Sequence, residues 1–135
     1  MQEGKIWELD LAKGGCYTKN MIKPIISYED FDKVDIRVGK IIKVDDFPEA
    51  RKPLYKITVD FGEEIGIKHS AVGATHHYAK DQLQDKLILG LINMPSKKIG
   101  PFASEFLTLG VSDKEGKCIL VAPDRDKVVI GGKLF

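Results

Sequence analysis

Cysteine is scarce in this chain. Only Cys16 and Cys118 occur in 135 residues, too few and too far apart for a disulfide framework or a zinc ligand set, which points to a reducing compartment. Cys118, inside Lys117-Cys118-Ile119-Leu120-Val121, reads as a small buried hydrophobe rather than a reactive thiol. An excess of charge of either sign is also lacking, because 21 Lys and Arg face 20 Asp and Glu for a net +1. That balance does not announce a polyanion partner, so any nucleic-acid site must be a local basic patch with modest, salt-sensitive binding. No apolar run approaches the roughly 18 residues of a membrane-spanning helix. The N-terminus has no apolar signal-peptide core, and the expectation is a soluble cytoplasmic protein without membrane insertion. Enzyme signatures are missing too: no phosphate-cradling glycine loop before a helix, no nucleophile elbow, no pair of acids at a spacing that forces proximity. His69, His76 and His77 do not make a metal site. Adjacent residues on a helix diverge by about 100°, no third ligand lies at a familiar spacing, and neither metal nor cofactor is expected.

What is present describes one ordinary globular domain. The chain is 43% hydrophobic and 30% charged, and a domain of this length buries about 65–70% of its unfolded surface, enough to fold without staples. Residues 1–26 differ from the rest: Lys13-Gly14-Gly15-Cys16 interrupts any helical period. They read as an N-terminal extension, with Met21 a candidate natural start. The rival reading is a helix over residues 6–12 that packs on the barrel or on a second subunit. The domain proper is expected over residues 27–135.

Ser27-Tyr28-Glu29-Asp30 predicts a helix start, with the Ser27 hydroxyl capping the amide three residues on. The pattern then changes to period two. Ile36, Val38, Ile42 and Val44 share a phase that Lys40 breaks, which predicts a bulge or bend at Gly39. Tyr55, Ile57, Val59 and Phe61 alternate with Lys56, Thr58 and Asp60, and Gly62-Glu63-Glu64 joins this second strand to a third over residues 65–71. Residues 73–83 predict one short helix followed by a loop. Residues 87–93 predict a central strand covered on both faces, and further strands are expected over 105–109 and 117–122, with a terminal strand or arm over 128–135. Five or six short strands with one helix between the third and fourth describe a small closed β-barrel.

Asp35-Ile36-Arg37-Val38-Gly39-Lys40-Ile41, Phe47-Pro48-Glu49-Ala50-Arg51, Ile65-Gly66-Ile67-Lys68 and Ser104-Glu105 carry a resemblance that runs from about Tyr28 to Phe135. Together they resemble the tRNA-binding domain family, an OB-type barrel, and within it most closely the CsaA group of small export-related chaperones. The resemblance implies an all-β fold: a five-stranded OB barrel with short helices and terminal extensions. It also implies a non-enzymatic binding module that forms a homodimer and takes unfolded or export-destined polypeptide, a preprotein for example. The alternatives are a stand-alone tRNA-binding protein and a structural dimerisation module of a larger assembly. The nucleic-acid branch follows its second loop with a His-Pro and an Asp-Lys-Leu segment; this chain has Phe47-Pro48-Glu49-Ala50-Arg51-Lys52-Pro53-Leu54, the CsaA-like form.

The candidate binding surface combines Lys68, Ser70, Asn93, Lys97, Lys98, Ser104 and Glu105 with Arg37, Phe47, Arg51 and Phe102. In Met94-Pro95-Ser96-Lys97-Lys98-Ile99-Gly100-Pro101-Phe102, two prolines and a glycine predict a rigid loop outside the ladder that projects its lysines to phosphates. Lys97 and Lys98 either do that or merely keep a loop soluble. Ser104 and Glu105 either meet a base edge or peptide backbone, or cap the loop. Phe47 and Phe102 are either exposed contacts for a peptide side chain or base, or plugs packed on their own barrel. Arg37 and Arg51 offer forked donors to an anion, or sit in ion pairs with Asp35 or Glu49.

Overall fold

The computed structural model describes residues 22–135. Of the expected extension over residues 1–26, residues 1–21 lie outside the described residues, and with them the candidate helix at 6–12, Cys16 and the candidate start Met21. Residues 22–26 form neither helix nor strand. The first helix, α1 (Tyr28–Asp32), begins where the sequence puts it: the Asp30 amide donates to Ser27 Oγ at 3.1 Å and the Ser27 amide donates to Asp30 Oδ2 at 3.3 Å, a reciprocal capping box.

Strand β1 (Ile36–Asp46) runs for 11 residues and pairs with two neighbours. Its phase differs from the expectation. Gly39 and Ile41 face the core, and the bulge falls at Ile42 rather than Gly39, between the pairs Ile41↔Val59 and Lys43↔Thr58. Ile42 is thereby left outside, and Val44, opposite Ile57, returns to the core side. One inserted residue resets a period of two, so a single alternation could not describe both halves.

β2 (Tyr55–Asp60) and β3 (Ile67–Val72) form the expected hairpin. Gly62 and Gly66 turn it with φ of 92° and 88°, and the Gly66 amide donates to Gly62 O at 2.7 Å. In residues 73–83 the order is the reverse of that expected: turns come first, and the helix α2 (Lys80–Leu83) comes last. The fully buried Leu83 seals one end of the barrel. β4 (Leu87–Leu91), β5 (Lys97–Ile99), β6 (Phe102–Ser104), β7 (Leu107–Thr108), β8 (Gly110–Ser112) and β9 (Cys118–Leu120) complete the order.

The main sheet is antiparallel in the order β3-β2-β1-β4-β7, with β5–β6 and β8–β9 as separate hairpins. β9 joins through the Leu89 amide, which donates to Val121 O at 3.1 Å. The terminal arm lies along the start of β1, where Val38 and Gly131–Gly132 exchange backbone bonds of 2.8–2.9 Å. Five antiparallel strands with one helix between the third and fourth make the nearly closed OB-type barrel the sequence predicts. Its seam lies between β3 and the β6–β7 connection, where the Glu105 amide donates to His69 O at 2.7 Å.

The core gathers Ile41, Ile57, Val59, Phe61, Leu83, Ile88, Phe106 and Leu120, with Cys118 packed at its margin. Phe61 and Phe106 meet edge to face at 4.9 Å and 86°. Both rings lie where side chains of Gly39 and Gly90 would stand: a Cβ on Gly90 would come within 2.8 Å of Phe106, and one on Gly39 would overlap Val59 and Phe61. Gly39→Ala is therefore expected to destabilise by about 1–3 kcal/mol in urea unfolding. Gly73→Ala, whose Cβ would meet Leu54 at an ordinary 3.6 Å, should leave the midpoint within about 0.5 kcal/mol of the parent. Equal midpoints for both would refute the packing account.

Candidate functional site

One end of the barrel collects cations and aromatic rings. β1 and β2 are joined there by residues 47–54, and the β5–β6 hairpin folds toward the same end because β6 runs beside β3 from Glu105 back to Phe102. Phe47 from the loop and Phe102 from the hairpin meet edge to face at 5.4 Å. Lys56, on the outward phase of β2, places its ammonium 5.3 Å from the Phe47 centroid and 5.9 Å from that of Phe102. Phe47 is only 5% exposed. Of its two readings it takes that of a plug packed on its own barrel, and the exposed-contact expectation is corrected. Phe102 is half-buried, so part of its ring faces outward.

Lys97 and Lys98 are exposed, but not on a loop outside the ladder as expected. They lie on β5, paired with Ser104 and Ala103, and Gly100 turns the hairpin with φ 60° ahead of Pro101. A positive φ at the first of two linking residues suits the primed turns that match strand twist. Arg51 is exposed on the β1–β2 loop. With Phe47, Lys52, Pro53, Tyr55 and Thr75 it lines an open cleft of about 420 Å³. Pro53 and Leu54 supply apolar wall, Arg51 and Lys52 positive charge.

The remaining candidates go elsewhere. Arg37, at the far end of β1, donates from Nε to Asp35 Oδ1 at 2.6 Å and from Nη1 to Gly131 O at 3.0 Å, so its fork holds the terminal arm. Asn93 accepts from the Asp35 amide at 3.0 Å and donates to Lys33 O at 2.6 Å, which fixes the chain between α1 and β1. Ser70 is 1% exposed and accepts from Thr108 Oγ1 at 3.1 Å, with Ser104 Oγ at 3.4 Å. These hydroxyls satisfy one another inside the barrel. Glu105 faces His69, with Lys68 close enough for its charge to be felt. Lys52 and Lys56 join the cluster although the motif reading passed over them; Lys56 was visible only as a polar position on an alternating strand.

Among the described residues, Glu105, Asp113 and Lys80 depart from their ordinary values. Partial burial pushes the Glu105 carboxyl upward, but the hydrogen bonds from the His69 ring and amide, with the charges of His69 and Lys68, outweigh it and leave the carboxyl lowered. Asp113 is lowered by the Lys117 amide and by His77, whose Nε2 lies 2.8 Å from its Oδ2. Lys80 is raised by its hydrogen bond to Asp46 at 2.8 Å. That pair ties α2 to the end of β1.

Known proteins match this architecture. A family model described as a putative tRNA binding domain covers residues 36–131. The Methionine--tRNA ligases of Thermococcus onnurineus (strain NA1) and Pyrococcus horikoshii are 35% and 36% identical over 109 residues, 81% of this chain. The chain spans 14% of the length of these curated relatives. Among solved structures it is similar to the CsaA chaperone protein from Picrophilus torridus, with TM-score 0.76 and 44% identity over 82% of this chain and 100% of that one. Chaperone CsaA from Bacillus anthracis str. Ames gives 0.77 and 32%, over 83% and 100%. Matched from the first residue of β1 into the terminal arm, and over the whole length of the small solved relatives, the chain belongs to the putative tRNA binding domain family, in its CsaA-like form.

Proposed function

We propose that this chain is a non-catalytic, CsaA-like chaperone module that acts in the cytoplasm as a homodimer and captures extended segments of unfolded or export-destined polypeptide. The observation that carries the reading is the mixed lining of the cleft beside the Phe47–Phe102 pair, where Pro53 and Leu54 stand next to Arg51 and Lys52. Such a wall can hold an apolar side chain while the cations meet backbone carbonyls or acidic residues. The likeness to the whole of two CsaA chains supports it. The binding unit in this reading is residues 27–135, with residues 1–26 as an appendage.

Dimerisation is supported by the outer face of the sheet. Gly90 turns toward Phe61 and Phe106, so Leu91 beside it faces out, in one row with its partners Ile36 and Leu107. Leu107 is 49% exposed, and Val111, opposite Ile119, is 58% exposed. An apolar strip of this kind is self-complementary under a two-fold axis. Leu107→Glu with Val111→Glu is expected to halve the mass read by light scattering without lowering the melting temperature; an unchanged mass in the folded variant would rule the strip out as the interface.

A second reading, tRNA binding, is favoured by the exposed Lys97 and Lys98 on the hairpin that carries the partly buried Phe102. Salt separates the two. Between about 50 and 200 mM salt, affinity for labelled bulk tRNA should fall steeply, whereas capture of a labelled unfolded polypeptide should change little. Tight, salt-steep tRNA binding without polypeptide binding would overturn the chaperone reading. Lys97→Glu with Lys98→Glu should abolish any tRNA binding, and Phe102→Ala should weaken polypeptide binding about tenfold. Retention of both affinities in these variants would remove the hairpin from the site.

A further inference from the structure

We infer that Glu105 is a positioning residue for the ligand end of the barrel: gripped by His69, its carboxylate fastens the β5–β6 hairpin to the edge of β3. The inference rests on the hairpin's place in the function proposed above, yet it makes a structural claim of its own.

The seam is closed in an unusual way. In an antiparallel ladder, a hydrogen-bonded pair exchanges two backbone bonds. At the seam only one is backbone to backbone, the Glu105 amide donating to His69 O at 2.7 Å. The return bond goes from the His69 amide to Glu105 Oε1 at 2.9 Å, so a side-chain oxygen stands where a strand carbonyl would. The same Oε1 lies 3.0 Å from His69 Nδ1. Two residues further along β3, the Ala71 amide donates to Ser104 Oγ at 3.4 Å, again to a side chain. The hairpin that carries Lys97, Lys98 and Phe102 begins where these contacts end. A seam held this way can be loosened by one substitution or one proton while the chain and core stay intact.

Solvent protons reach it, for His69 and Glu105 side chains are 48% and 37% exposed. The groups around His69 are few. From β2, Thr58 lies opposite it, flanked on the same face by Lys56 and Asp60, and Lys43 of β1 lies beyond Thr58. From the hairpin side come Glu105 and Ser104, the latter paired with Lys97. Glu105 is thus the carboxylate in direct contact, and an ionised carboxylate accepts stronger hydrogen bonds than a neutral one. The lowered Glu105 carboxyl sets the pH limit of the tether. Its contribution is present above the unfolded carboxyl's value and disappears as pH falls through the folded one.

Amide hydrogen exchange in the full chain, corrected for intrinsic rates, tests this directly. The readout is protection of hairpin residues 97–104 relative to β1 and β2 at neutral pH. In Glu105→Gln, which keeps an acceptor oxygen but no charge, hairpin protection should fall about fivefold while β1–β2 protection holds, and His69→Ala should lower it in the same direction. Unchanged hairpin protection in Glu105→Gln overturns the tether. Titrating the same proteins with labelled unfolded polypeptide and bulk tRNA separates the two claims. If the hairpin loosens as expected and neither affinity falls, the tether stands and the hairpin is removed from the ligand site.

Discussion

Two phenyl rings occupy the axis of the barrel, and the strands are shaped around them. Phe61 and Phe106 meet edge to face because Gly39 on β1 and Gly90 on β4, paired through their neighbours, offer bare backbone on the inner side. A closed barrel of five short strands needs one strand long enough to pair on both sides and bent enough to turn the corner. β1 is that strand. It pairs with β4 over its first half and with β2 over its second, and the bulge at Ile42 comes just past the rings. Beyond the bulge β1 delivers Phe47 to the end where Phe102 arrives from the hairpin.

The barrel therefore separates its polar work into zones. At the start of β1, Arg37 and Asn93 spend their donors and acceptors on two chain segments, the α1–β1 connection and the terminal arm. Inside, Ser70, Ser104 and Thr108 form a hydroxyl cluster that leaves no buried side-chain polar atom without a partner among the described residues. A buried hydroxyl without such a partner would cost about 1–3 kcal/mol. At the other end, lysines and Arg51 surround aromatic and prolyl surface. The arrangement suits either an extended peptide or a stacked base beside a phosphate, since both present a flat or apolar part next to a polar one.

Much of this was legible in the residues. The Ser27 capping box, the alternation of β2 and the hairpin through Gly62 rest on neighbours a few positions apart, where local geometry decides the outcome. The phase of β1 and the order of turn and helix in residues 73–83 were not. A bulge is chosen by what lies across the sheet, and α2 forms where Leu83 can plug the barrel rather than where helix propensity is highest. The β5–β6 hairpin was hidden for a similar reason. Met94-Pro95-Ser96 and Gly100-Pro101 read as loop, yet three residues on each side pair because β3 offers an edge beside them.

The sequence by itself determined the class of fold, the family and the presence of a basic, aromatic-bearing stretch around Lys97 and Phe102, because alternation, turn chemistry and motif are properties of short windows. Only the tertiary structure decided which candidates act together. Phe47 and Phe102 are far apart in the chain, and they touch because two connections end at one rim, with Lys56 from a third element between them. Arg37, Asn93, Ser70 and Glu105 look equally able to bind a ligand in one dimension. Closing the barrel brings each of them a partner from a distant segment, and a polar group that has found such a partner holds the fold.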